Sequence, residues 1–143
     1  MTGIDTNILV QLCLANHPGN KAALAAVQQE LQSGNLIVLT ASILAEFLHV
    51  ITDNRRFADA LAMTEALDWV DEFLKNSSGV QIIPATEQST RLALDWMRKF
   101  QLGRKRLLDT NLAAAIYVAG GRRIVTSNPT DFTVFNVFEA ICP

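Results

Sequence analysis

The sequence predicts an α/β protein: a three-layer α/β/α sandwich around a central, mostly parallel sheet of four to five strands. Three observations predict it. The runs Leu36-Ile37-Val38-Leu39, Val80-Gln81-Ile82-Ile83 and Arg123-Ile124-Val125-Thr126 are short and nearly continuous in apolar character rather than alternating, as strands covered on both faces are. Each run is followed by a helical pattern or a turn, the order that builds parallel sheets. The chain has 143 residues, 50% hydrophobic and 18% charged, enough to close one core without disulfide or metal. No composition shift marks a boundary, so residues 1–143 are expected to form one domain.

The elements follow in order. Met1 to Ile4 is a brief strand ending at Asp5, and Asn7 to Ala15 begins a helix. The turn His17-Pro18-Gly19-Asn20 precedes a helical stretch from Lys21 to Gln32, stopped by Ser33-Gly34-Asn35. After the strand at Leu36–Leu39, Thr40 or Ser42 caps a helix running to about Thr52. The next helix is expected from Phe57 to Lys75. Its apolar residues, Trp69 and Phe73 among them, cover about half the cylinder, more than the ~100° stripe that packing on one sheet requires. The surplus suits a dimer seam, a protein partner or deeper burial in the core. The strand at Val80–Ile83 leads through Pro84 to a helix capped at Thr86 and reaching about Leu102. Leu107 to Ala119 is helical and Gly120-Gly121 ends it. Phe135 to Phe138 is an edge-strand candidate after the strand at Arg123–Thr126.

Composition excludes several classes. With a mean hydropathy of +0.21 and sparse Gly and Pro, the chain is not of the disordered kind. No apolar run approaches the ~18–20 residues of a membrane span, and the first residues carry no basic leader pattern. Cys13 and Cys142 lie at opposite ends, without metal-binding spacing, and the expected compartment is the cytoplasm. The net charge of −2 hides an asymmetry: residues 1–90 carry four basic against ten acidic side chains, residues 91–123 eight basic against two acidic. A basic block of this kind points weakly to a polyanion and equally to a solvated helix face.

Four acids stand where a globular chain has little structural use for charge. Asp5 follows the first strand at its carboxyl end, where parallel sheets form ligand crevices. Glu46 lies within the nearly all-apolar Ala41-Ser42-Ile43-Leu44-Ala45-Glu46-Phe47-Leu48, on a face expected to be buried. Asp109 begins an uncharged, alanine-rich helix, and Asp131 follows the Asn128-Pro129 turn. Ile4-Asp5-Thr6-Asn7 and Leu108-Asp109-Thr110-Asn111 share the same local text, which helix capping explains for each singly but not for Glu46. Converging carboxylates raise one another's pKa unless a cation neutralises them. Two histidines and two distant cysteines are too few for a zinc site, whereas hard oxygen donors suit Mg²⁺ or Mn²⁺. Metal-assisted phosphodiester hydrolysis is the matching chemistry. Arg104, Lys105 and Arg106, just before Asp109, are candidates for holding backbone phosphates at the site's mouth.

These stretches, with Ile124-Val125-Thr126-Ser127-Asn128-Pro129-Thr130-Asp131-Phe132, resemble a PIN domain over essentially the whole chain, and within that family a VapC-type toxin ribonuclease. The resemblance implies a PIN-like sandwich in which Asp5, Glu46, Asp109 and Asp131 are catalytic, metal-binding acids. It further implies Thr6 as the site hydroxyl and Asn128 as a direct or water-mediated contributor, with one or two ions bound. It also implies RNA as substrate, cleaved to leave a 5′-phosphate, a homodimer, and neutralisation by a cognate antitoxin. Two other readings compete: a catalytically silent PIN-like module that binds RNA or protein, and a receiver-type phosphoacceptor. The second lacks the lysine expected after a late strand, where the chain has Thr126-Ser127-Asn128. His49, three residues after Glu46, is read as structural and His17 as a loop residue. No GxGxxG or P-loop is present, and Ser127 lacks a nucleophile-elbow setting.

Overall fold

The computed structural model describes the backbone of residues 1–143 and every side chain except that of Asn76. Its strands are β1 (Thr2–Ile4), β2 (Ile37–Leu39), β3 (Val80–Ile82), β4 (Arg123–Val125) and β5 (Glu139–Ile141). All neighbouring pairs are parallel, in the order β3-β2-β1-β4-β5. The helices are α1 (Thr6–Cys13), α2 (Asn20–Gln32), α3 (Ala41–Ile51), α4 (Met63–Asn76), α5 (Glu87–Lys99), α6 (Leu107–Val118) and α7 (Thr130–Thr133), with a 3-10 turn at Arg104–Arg106. Ile37, Val38 and Leu39 are consecutive and fully buried. Successive side chains of a strand point to opposite faces, so helices cover both sides of the sheet, as the apolar runs predicted.

Growth of the sheet reverses at β1: β2 and β3 add on one side, β4 and β5 on the other. Such a reversal opens a crevice at the carboxyl ends of the strands, and Asp5 is the residue that leaves β1 there. Gly3 permits a close approach at the same strand. A Cβ at Gly3 would stand 2.0 Å from Ile116 Cδ1 and 2.9 Å from its Cγ1, so the missing side chain lets α6 seat directly on β1.

Two expected elements differ. The helix predicted from Phe57 begins only at Met63. Arg56 and Phe57 donate their N–H groups to the Asp53 carbonyl, Leu61 to that of Ile51, and Ala62 N–H is accepted by Glu65 Oε2 at 2.8 Å, which sets the helix start. Trp69 and Phe73 are half-buried and stacked 5.1 Å apart, with Trp69 also against Phe47, so the exposed surplus on α4 is Met63 and Leu67. The edge strand predicted at Phe135–Phe138 lies instead at Glu139–Ile141. Asn136 takes a left-handed φ of 56°, which breaks an extended run, and Phe135 and Phe138 pack on Trp96 as an aromatic cluster. The short α7 was not foreseen.

Candidate active site

Asp5, Glu46, Asp109 and Asp131 come from four separate stretches of chain and line one cavity of about 360 Å³, together with Thr6 and Asn128. Each is delivered by a different element. Asp5 caps α1 immediately after β1. Glu46 is carried on α3, whose start is fixed by Thr40 Oγ1 accepting from Ile43 N–H. Asp109 rides the first turn of α6, and Asp131 that of α7.

Asp5 is buried, and three donors hold its two oxygens: Thr6 N–H at 2.7 Å on Oδ1, with Asn7 Nδ2 at 2.7 Å and Thr126 Oγ1 at 2.8 Å on Oδ2. Burial nevertheless raises its pKa. The Thr126 and Thr6 bonds oppose that rise, and the charges of Glu46 and Asp131 add to it. Glu46 is half-buried at the cavity edge rather than enclosed in the apolar face of α3, and it accepts from Thr6 Oγ1 at 2.5 Å. Asp109 is pushed up to about 6, first by burial, then by Asp5, against the lowering effect of Arg106; Asp131 and Glu46 push further upward.

The repeated Asp-Thr-Asn text does not give repeated geometry. Asp5 is a helix cap, while Asp109 lies within the first turn of α6, whose cap position is Arg106. Thr6 reaches across to Glu46, whereas Thr110 Oγ1 bonds back to the Arg106 carbonyl at 2.7 Å and Asn111 Nδ2 to that of Leu107 at 2.7 Å.

Arg106 departs from its expected place at the mouth. Its Nη1 lies 2.6 Å from Asp131 Oδ1, its Nη2 donates to the Asp131 carbonyl, and its Nε lies 3.2 Å from Asp109 Oδ2. The reason is electrostatic: a guanidinium beside several carboxylates is drawn among them rather than out to solvent. Arg104 and Lys105 are exposed on the 3-10 turn.

The sequence reading missed several lining and supporting residues. Thr126, fully buried, orients Asp5. Gln11, one turn after Asn7, donates to Ser127 Oγ at 2.7 Å, and Ser127 N–H donates to Asn7 Oδ1 at 3.2 Å, tying α1 to the loop after β4. Helical spacing from Asn7 would have found Gln11; nothing local marks Arg56, which reaches the cavity from the turn after α3. His17 also lines it, its Nδ1 accepting from Gly19 N–H at 2.9 Å, while His49 lies in the adjoining pocket.

A family model for the PIN domain matches residues 4–134. The chain belongs to the PIN-domain family. No curated protein is a match by sequence. Among solved structures, the chain is similar to one in the structure of VapBC2 from Rickettsia felis bound to a DNA fragment from their promoter (16% identity, 99% of this chain and 98% of that one, TM-score 0.73). It is also similar to VapBC-1 from nontypeable Haemophilus influenzae (16%, 99% and 96%, 0.69) and to VapC20 of Mycobacterium tuberculosis, described as a sarcin-ricin loop cleaving toxin (15%, 87% and 87%, 0.63). At these identities the likeness establishes the PIN fold.

The donor set of the cavity is one a divalent cation fits. All four acids offer hard oxygens, and Asp5 and Asp109 are raised first by burial and then by their acid neighbours, a cost of ionisation that nearby positive charge would relieve. As the side chains stand, no three acid, histidine or cysteine groups among the described residues converge closely enough to cage an ion. Arg106 engages Asp109 and Asp131 instead.

Proposed function

We propose that this PIN domain is a metal-dependent endoribonuclease that hydrolyses RNA phosphodiester bonds, the VapC-type toxin of a toxin–antitoxin pair. The observation that carries the reading is the meeting of four carboxylates on one cavity at the carboxyl ends of a parallel sheet. The description of the similar VapC20 as a sarcin-ricin loop cleaving toxin supports it.

Asp5, Glu46, Asp109 and Asp131 would hold Mg²⁺ or Mn²⁺, with Asn128, which lines the same cavity, contributing directly or through water. When bound, such an ion lowers the pKa of a coordinated water and stabilises a leaving oxygen. The residues of the chain prepare for that. Thr126 and Asn7 hold one oxygen of Asp5 in place, and Thr6 holds Glu46 through its hydroxyl. Fixed donors of this sort hold the carboxylates without reorganisation during the reaction. Arg56, Arg104 and Lys105 supply cations for backbone phosphates around the cavity, carrying no base specificity of their own. The reading also makes the protein cytoplasmic, a homodimer, and a partner of an antitoxin encoded beside it.

The test incubates purified protein with mixed RNAs in Mg²⁺, Mn²⁺ or EDTA, alongside Asp5→Asn and Glu46→Gln. Cleavage is expected only with metal, leaving 5′-phosphate ends, and it falls at least about a hundredfold in both variants. Equal cleavage by the variants overturns the assignment of these acids. RNA binding without cleavage by the wild type makes the protein a binding module.

A further inference from the structure

Arg106 is not itself a lining residue of the cavity, but it engages two of the acids that are, and the hydrolytic reading gives it no role. Its guanidinium lies against two of the four acids, Asp109 and Asp131, yet pairs with neither in the bidentate manner that makes Arg–carboxylate contacts strong. Its Nε is buried and, although 3.2 Å from Asp109 Oδ2, is not aligned to make a hydrogen bond. The side chain keeps 22% of its surface exposed, so a path to solvent is open. The backbone, by contrast, is anchored: the Arg106 carbonyl accepts from Thr110 Oγ1 at 2.7 Å, and Arg106 N–H donates to the Gly103 carbonyl. A fixed backbone carrying a long side chain with one incomplete contact describes a displaceable group.

We propose that Arg106 is the resident counter-ion of the cavity, and that it and a divalent cation alternate at the Asp109–Asp131 pair. The two cannot share it. A guanidinium remains charged at every pH the protein meets, and a doubly charged ion a few ångströms away repels it while competing for the same oxygens. The metal-free chain thereby avoids leaving four carboxylates unneutralised, and it gives up affinity for the ion in return, because each loading event must first expel Arg106. This inference rests on the metal-dependent reading above and deepens it by naming the competitor for the site.

The experiment measures Mn²⁺ binding by titration calorimetry to wild type, Arg106→Gln, Arg106→Lys and Asp5→Asn, with thermal melts of each in EDTA and in saturating Mn²⁺. Arg106→Gln is expected to bind Mn²⁺ about tenfold or more tightly, since the competing charge is gone. It melts lower than wild type in EDTA and gains more on adding Mn²⁺. Arg106→Lys keeps the charge and stays closer to wild type than Arg106→Gln does. Unchanged or weaker binding by Arg106→Gln, with wild type binding and Asp5→Asn not, overturns the competition alone. Absence of binding by both wild type and Arg106→Gln overturns the metal reading and this inference together. Binding by Arg106→Gln alone establishes the competition in its strongest form.

Discussion

Asp109 sits where burial and three neighbouring acids oppose its ionisation, and Arg106 offsets only part of that. Its folded pKa of about 6 lies above the ordinary carboxylate value of 3.8. In the metal-free protein the folded state therefore holds a proton that the unfolded state releases, so stability falls as pH rises from about 4 to about 6 and stays reduced above. Asp109→Asn removes the ionisation without changing shape. In EDTA its melting temperature is expected to exceed that of wild type at pH 7.5, with the difference gone below pH 4. Equal melting at pH 7.5 would show that Arg106 neutralises the group completely. At this scale the residue types were legible in the sequence: Asp5, Glu46 and Asp109 stood out against apolar neighbours, and Asp131 was marked by the turn before it and by the family resemblance. Their partners were not. Thr126 reaches Asp5 from 121 positions away, and no local pattern carries that pairing.

At the scale of elements, the seat of α6 on β1 decides how Asp109 stands to Asp5, and Gly3 makes that seat possible. Gly3→Ala drives a methyl group into Ile116 and is expected to cost about 1–3 kcal/mol, as overpacking does. Ile116→Val deletes the Cδ1 that would be struck. The double variant should therefore lose less stability than the two single losses summed, a coupling that urea unfolding of all four proteins measures. Strictly additive losses would mean that α6 moves as a body instead. Strand and helix types were readable because their period is local. Boundaries failed where a distant or backbone bond intervened: the Leu61 N–H bond to the Ile51 carbonyl and the Glu65 bond to Ala62 N–H postpone α4 to Met63, and the left-handed Asn136 moves the last strand past Phe138.

Over the whole molecule, the two ends of the sheet carry acids of opposite pH sign. Glu30, buried at the amino ends of the strands, accepts from Arg123 Nη2 at 2.9 Å and Nε at 3.0 Å, from Thr2 Oγ1 at 2.6 Å and from Asn35 Nδ2 at 3.1 Å. The Arg123 hydrogen bonds, foremost among these, hold its carboxyl below the ordinary value. That stability is present above the unfolded pKa and is lost as pH falls through the folded one. Glu30→Gln is expected to cost roughly 1.5–3 kcal/mol at neutral pH, with the loss shrinking on acidification; urea unfolding at pH 7 and pH 3 checks both. A loss that stays constant with pH would assign the effect to packing alone. Among the described residues no helix is long and apolar enough to cross a membrane.

By itself the sequence determined the α/β class and the parallel sheet and marked four acids as candidates, because periodicity, burial patterning and misplaced charge are all properties of neighbours along the chain. Only the tertiary structure decided that Arg106 turns inward to Asp109 and Asp131, that Glu46 faces a cavity through Thr6, and that the twin Asp-Thr-Asn segments do different things. Those outcomes depend on where β1 meets α6 and where α3 meets α1. Coulombic attraction and hydrogen bonding act across space, so they become defined only once folding has fixed the distances.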